Sequence, residues 1–291
     1  MTAPKPGETG YDQVRTKVQT FYEDITFPSY DEDESYQTLV QKAGSNLYTR
    51  LLDRQIPRKA KILEMGCGTG QFSIFMAMGG RSVTAVDIST KSIEKAKALA
   101  VRLGVEKNIE FVHCDLFKLP FAKASFDFTY SSGVLHHTPD PRRGFGELVS
   151  YCKPGGVVGV GLYNTFGRVM LYCRKWIFKL TRNRFLWLDY YMRSGMEPHR
   201  KRTWFRDQYE NPLESTHTAD EVLGWFQENG IRYVNSIPKI TLMEELTEDE
   251  EIFGEHDAGS RFDHLARQTM WIFTEGREGG FFLMFGRKEA V

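Results

Sequence analysis

Four cysteines in 291 residues, none at C-x-x-C spacing, leave little for a disulfide framework or a zinc site. Cys67, Cys114, Cys152 and Cys173 read instead as reduced thiols of a cytoplasmic protein, and no metal is implied. No apolar run reaches the roughly 18 residues of a membrane-spanning helix. The opening stretch, Met1-Thr2-Ala3-Pro4-Lys5-Pro6-Gly7, lacks the apolar segment of a signal peptide. Net charge is missing too, since 38 basic residues face 38 acidic ones. That balance argues against nucleic acid as a partner. There is no internal repeat and no long low-complexity tract. The chain is 41% hydrophobic and 13% aromatic, enough for one large domain with insertions.

The chain is organised around Leu63-Glu64-Met65-Gly66-Cys67-Gly68-Thr69-Gly70. Lys61-Ile62-Leu63 reads as a buried strand, and a helical pattern starts at Gln71. Glycines at alternate positions let the backbone turn with φ > 0 and let a ligand come close to the main chain. A second strand ends at Asp87-Ile88, about twenty residues on, where a carboxylate can accept from two ribose hydroxyls. A dinucleotide fingerprint has Gly-x-Gly-x-x-Gly spacing around a pyrophosphate, whereas here Glu64 stands beside a Gly-x-Gly-x-Gly loop. A carboxylate there repels a pyrophosphate and suits a ligand bearing ammonium and sulfonium groups.

This stretch resembles the first motif of the class I SAM-dependent methyltransferases. Three further features resemble the ubiquinone/menaquinone-biosynthesis type and its small-molecule relatives: Asp115-Leu116 after the third strand, Ser131 to Pro141 after the fourth, and Lys153-Pro154-Gly155-Gly156 before the fifth. Together they cover residues 61 to about 163. The resemblance implies S-adenosylmethionine as cofactor, held by Glu64, Gly66, Cys67, Gly68, Gly70, Asp87, Ile88, Asp115, Leu116 and Ser131. It implies that Asp115 accepts from the adenine amino group. It also implies a doubly wound Rossmann-like α/β fold, with a seven-stranded, mostly parallel sheet whose last strand is antiparallel.

The residues themselves give the alternation of strand and helix from Lys61 onward, but not the strand order. Helices are expected over Tyr11–Phe21 and Leu39–Leu52, forming an N-terminal helical cap (1–56) before the methyltransferase domain (57–291). Thr90 is a candidate N-cap for the helix after the second strand, and Thr218-Ala219-Asp220-Glu221 has capping-box spacing. Strand 3 is expected over Ile109–Asp115 and strand 5 over Val157–Tyr163. Insertions over 165–217 and 241–277, after strands 5 and 6, exceed ordinary loops and suggest a lid or a substrate-binding element.

The loop after strand 4 has neither the Asn/Asp-Pro-Pro-Tyr/Phe tetrad of many nitrogen methyltransferases nor a Pro-Cys nucleophile. Methyl transfer is an in-line displacement that depends on alignment. A base near neutral pH serves an oxygen or carbon acceptor, and His136 and His137 are the candidates for it. His199, His217, His256 and His264 are weaker ones, and His113, inside a strand, reads as core. Tyr209 and Arg277 are guesses for the substrate side. Segment 168–180 is basic and apolar. It fits a helix on a membrane surface, a lid, or a core helix whose cations face the acids of 23–34 and 244–257. The reading is methyl transfer to a small aromatic or lipophilic acceptor. A SAM-binding protein without transfer, an RNA methyltransferase and a dinucleotide-dependent oxidoreductase are the alternatives.

Overall fold

A computed structural model describes residues 9–27, 37–39, 41, 46–274 and 280–290. Seven strands form one sheet in the order β3-β2-β1-β4-β5-β7-β6. They are β1 (Lys61–Met65), β2 (Ser82–Asp87), β3 (Ile109–His113), β4 (Phe126–Ser132), β5 (Cys152–Tyr163), β6 (Ile231–Ile237) and β7 (Phe281–Lys288). Neighbours from β3 through β5 run parallel, while β7 lies antiparallel between β5 and β6. The expected doubly wound, mostly parallel sheet is therefore present. The chain steps outward from β1 to β3, then crosses back to β4 on the other side of β1. Ligands bind outside the carboxyl ends of the strands at such a reversal.

Helices cover both faces. On one side α2 (Leu47–Gln55), α3 (Gln71–Met78) and α4 (Thr90–Arg102) bury Leu51, Leu52, Ile74, Met76, Ile93 and Leu99 against the sheet. On the other side α5 (Pro141–Tyr151), α9 (Ala219–Glu228) and α10 (Arg261–Thr274) bury Phe145, Leu148, Trp225, Phe226 and Trp271. The remaining helices are α1 (Thr9–Asp24), α6 (Val169–Leu180), α7 (Tyr190–Arg193) and α8 (Pro198–Phe205). Among the described residues no helix is long and apolar enough to cross a membrane.

Local chemistry sets the boundaries, and several differ from expectation. The cap of α4 is Ser89, whose Oγ accepts from Ser92 N at 3.2 Å, one residue before Thr90. Thr218 caps α9 as its spacing predicts, accepting from Glu221 N at 3.2 Å. Of the helix expected over Leu39–Leu52, residues 37–39 and 41 are helical, α2 begins at Leu47 behind the Asn46 side-chain cap, and residues 40 and 42–45 lie outside the described residues. Strand β3 stops at His113 because the Asp115 carboxylate accepts from Phe117 N at 3.0 Å and closes a turn. His113 is not core. It is exposed on the edge strand, with Nε2 against the Ile88 carbonyl at 2.9 Å. Strand β5 begins at Cys152, and Lys153 to Gly156 form an irregular stretch where the register against β4 shifts.

The excursion after β5 closes on itself. Asn164 bridges His217, and His217 N donates to the Tyr163 carbonyl at 2.9 Å. Within it Leu171, Phe178 and Tyr209 form a small core of their own.

Candidate functional site

The β1–α3 loop is fixed by short-range bonds. Gly66, Gly68 and Gly70 adopt φ of 83°, 51° and 83°. At Gly66 the restriction is steric as well, since a Cβ would lie 2.3 Å from Val134 Cγ2, in the loop after β4. The close approach that demands glycine here is made by the protein's own chain. Gly68 N donates to Asp87 Oδ2 at 2.8 Å, and Ser89 N to Asp87 Oδ1 at 2.8 Å. The buried Glu64 carboxylate accepts from Ser73 N at 3.1 Å and from Ser73 Oγ in a very short bond. Burial pushes the Glu64 carboxyl up to about 7, against the lowering effect of those bonds. Burial raises Asp87 as well, with its two backbone donors pulling the other way. Both carboxylates keep lone pairs for a ligand.

Beside this loop lies a cavity of about 680 Å³. Glu64, Gly66, Cys67, Gly68, Asp87, Ile88, Asp115 and Leu116 all line it, so eight of the ten residues expected to hold the cofactor converge there. Gly70 and Ser131 do not. Gly70 sits at the N-cap of α3. Ser131 Oγ donates to the Met65 carbonyl at 2.9 Å inside the sheet. Its neighbour Ser132 lines the cavity instead, because successive strand residues face opposite ways. Asp115 is shared with α1, from which Arg15 Nη1 reaches its Oδ2 at 3.3 Å. Two carboxylates, a left-handed glycine turn and an adjacent apolar wall fit an adenosyl group. Asp87 would take the ribose hydroxyls and Asp115 the exocyclic amine.

The far wall is polar and aromatic, built from elements distant in sequence. Asp207 and Gln208 stand on a π-turn, Arg206–Glu210, at the end of α8. Tyr22 of α1 donates to Asp207 Oδ1 at 3.2 Å, and Gln208 Nε2 contacts Asp207 Oδ2 and Tyr163 Oη, each at 2.8 Å. Behind them the fully buried Arg168 donates to Gln208 Oε1 at 2.6 Å and pairs with Glu214. Its guanidinium also lies 3.6 Å from the Tyr163 ring centre. Tyr22, His137, Tyr163, Tyr191, Trp204, Asp207 and Gln208 line the cavity together.

The two histidines part company. His137 lines the cavity, and its Nδ1 meets the Leu213 carbonyl at 2.7 Å. A carbonyl only accepts, so Nδ1 carries the proton and Nε2 keeps a lone pair. Burial lowers the His137 pKa, with Asp207 pulling it up. His136 is fully buried outside the cavity lining, packed 4.0 Å from the Tyr163 ring, with neither ring nitrogen partnered. Burial drives its pKa well below the ordinary value. The other histidines sit away from the cavity. His217 bridges Ser215 and Glu221, His264 contacts Asp220, His256 contacts the Glu251 carbonyl, and His199 is exposed on α8.

Tyr209 does not reach the cavity, since its hydroxyl donates to Asp189 Oδ2 at 2.6 Å and its ring packs on Phe178 and Phe205. Arg277 lies outside the described residues. Among the described residues, the basic side chains of the excursion meet the expected acids only in part. Arg206 meets Asp24 at 3.1 Å, but Arg168 and Arg174 pair within the excursion, and Arg50, Lys239 and Arg232 take Glu248, Glu250 and Glu255. Sequence reasoning missed Tyr11, Arg15 and Tyr22 on α1, Asp207 and Gln208 beside Tyr209, and Tyr163 at the end of β5. Asp207 and Gln208 directly precede Tyr209, the residue expected on the substrate side.

Residues 63–160 match the pattern of a methyltransferase domain. The chain is 31% identical over 166 residues to a 27-O-demethylrifamycin SV methyltransferase of Amycolatopsis mediterranei, a match covering 55% of this chain and 60% of that protein. It is 28% identical over 211 residues to a tRNA 5-carboxymethoxyuridine methyltransferase of Escherichia coli, covering 67% of this chain and 76% of that one. Among solved structures, the 1,6-didemethyltoxoflavin-N1-methyltransferase of Burkholderia thailandensis, bound to its substrate and S-adenosylhomocysteine, shares the fold. Its TM-score is 0.52 at 16% identity, over 100% of this chain and 94% of that one.

Proposed function

We propose that this chain is a SAM-dependent methyltransferase that methylates a small aromatic or lipophilic acceptor in the cytoplasm, a reading supported by the methyltransferase-domain pattern over residues 63–160 and by its likeness to named methyltransferases. The observation that carries the reading is one cavity lined both by Glu64, Gly68, Asp87 and Asp115 and by His137, Tyr22, Tyr163 and Asp207. S-adenosylmethionine, when bound, supplies an electrophilic methyl group on a sulfonium that is already a good leaving group. Asp87 and Asp115 orient the adenosyl part, and the glycine loop sets its depth. Tyr22, Tyr163 and Trp204 shape an acceptor site from which much water is excluded, where alignment supplies most of the rate. His137 Nε2 takes the acceptor's proton as the new bond forms, while the Leu213 carbonyl holds its tautomer. Asp207 and Gln208 fix the acceptor's polar group.

The relatives act on a rifamycin and on a tRNA. A small molecule is favoured here because the acceptor wall is aromatic and closed over by α1. The direct test is calorimetric titration with S-adenosylmethionine, S-adenosylhomocysteine and NAD, followed by transfer of labelled methyl to a panel of phenols, quinones and lipids. Adenosyl binding without NAD binding, and label transfer that His137→Ala abolishes, are expected. Binding of NAD alone contradicts the cofactor reading. Transfer only to tRNA contradicts the acceptor class.

A further inference from the structure

Helix α6 has two apolar faces, and only one is used. Leu171 and Phe178 face inward against Tyr209. On the outer side Trp176 and Leu180, one turn apart, stand 69% and 65% exposed. The chain then reverses at Arg182 and Asn183, both with positive φ, and presents Trp187, 57% exposed, on the next turn. Around these apolar side chains stand Lys179, Arg182 and Arg184, all exposed. Between Thr165 and Met196 the only acid is Asp189, and it is buried against Tyr209. The protein as a whole is neutral, so this local excess of cations on one element is not a by-product of composition.

Large exposed apolar side chains interleaved with cations, and no acid paired with Lys179, Arg182 or Arg184 among the described residues, match two surfaces: an anionic bilayer, which takes indoles and aliphatic chains at the headgroup boundary, and a nucleic acid, which stacks bases on rings. Leu180 and its helix neighbours Val169 and Met170, also exposed, offer nothing for a base to stack on. The neighbouring α10 adds Phe273, 81% exposed, again without a compensating partner among the described residues. We propose that the α6 face, with the turn through Trp187, docks on the surface of an anionic lipid bilayer. Trp176, Leu180 and Trp187 insert at the boundary, and Lys179, Arg182 and Arg184 meet lipid phosphates. Four residues beyond Trp187, Tyr191 stacks 4.2 Å from Trp204, and both line the cavity. The docking face thus leads along the chain into the acceptor wall, which suits an acceptor drawn from the membrane. The docking itself does not depend on the methyl-transfer reading.

The test is co-sedimentation of the full chain with phosphatidylcholine vesicles containing none or about a third phosphatidylglycerol, at low salt, with total tRNA as a parallel ligand. Binding to the anionic vesicles, a blue shift of tryptophan emission and at least a tenfold weaker association with neutral vesicles are expected. Both Trp176→Ala with Trp187→Ala and Lys179→Glu with Arg184→Glu should weaken vesicle binding at least tenfold. All four positions are exposed, so thermal unfolding and S-adenosylhomocysteine affinity should hold. No binding to anionic vesicles, or binding that both variants retain, overturns the proposal. Binding to tRNA without vesicle binding replaces it with a nucleic-acid surface.

Discussion

The two ends of the cavity are built by different rules. At the cofactor end the contacts that shape the glycine loop are local, Ser73 to Glu64 spanning nine residues and Gly68 to Asp87 nineteen, and Arg15 reaches Asp115 from 100 residues away only at its margin. Backbone amides dominate there, and the strand ends of the sheet place them. In the part of the cavity proposed for the acceptor, Tyr22 and Asp207 are 185 residues apart, and behind it Arg168 and Glu214 are 46 apart. Side chains from α1, from the end of β5 and from the excursion must all arrive together. A fold can keep the first end and remake the second, and so put one cofactor to work on different acceptors.

That division can be broken most strongly at Arg168. Removing it leaves the buried Gln208 carbonyl without its Arg168 donor and Glu214 without its counter-charge, so Arg168→Ala should cost about 3 kcal/mol in denaturant unfolding. Arg168→Met with Glu214→Leu should recover most of that loss, because the pair goes together. Next, His137→Ala should lower turnover about 100-fold or more while S-adenosylhomocysteine affinity stays within about twofold. The wild-type rate should begin to fall at a lower pH than a free histidine base would give, since burial depresses the His137 pKa. Asp87→Ala should act at the opposite end, weakening adenosyl binding by about 2 kcal/mol in calorimetry.

A smaller effect concerns His136. Its pKa is lowered in the folded chain, so below about pH 6.5 the unfolded chain binds a proton that the folded one does not. Its stabilising contribution is complete above that pH and falls by up to about 1.4 kcal/mol per pH unit below it. His136→Phe should remove that share of the acid sensitivity, as read from unfolding between pH 5 and pH 7. Smallest, Tyr22→Phe should cost about 1 kcal/mol in acceptor binding, through the lost bond to Asp207, and leave the cofactor end unchanged.

The same contrast explains what could be read from the sequence. Glu64, Gly66, Gly68 and Asp87 are legible because glycine spacing and a strand-end carboxylate state their own geometry. Even there Ser131 was read one residue away from Ser132, since a run of short polar residues does not say which face each takes. Tyr22 and Asp207 carry no local signal, as their meeting depends on how α1 and the excursion close over the sheet. His136 and His137 look alike in sequence, yet only the Leu213 carbonyl and the cavity distinguish them. The strand count and the antiparallel last strand were legible only through resemblance, and the strand order not at all, because alternation of strand and helix fits several orders.

The account stands most directly on whether the two ends act separately. S-adenosylhomocysteine titrated calorimetrically into the wild-type chain, Asp87→Ala and Tyr22→Phe would decide it in one series. Tight binding in the wild type and Tyr22→Phe, with a loss of at least tenfold in Asp87→Ala alone, is the predicted result. Equal affinity in all three, or no binding by the wild type, would contradict it.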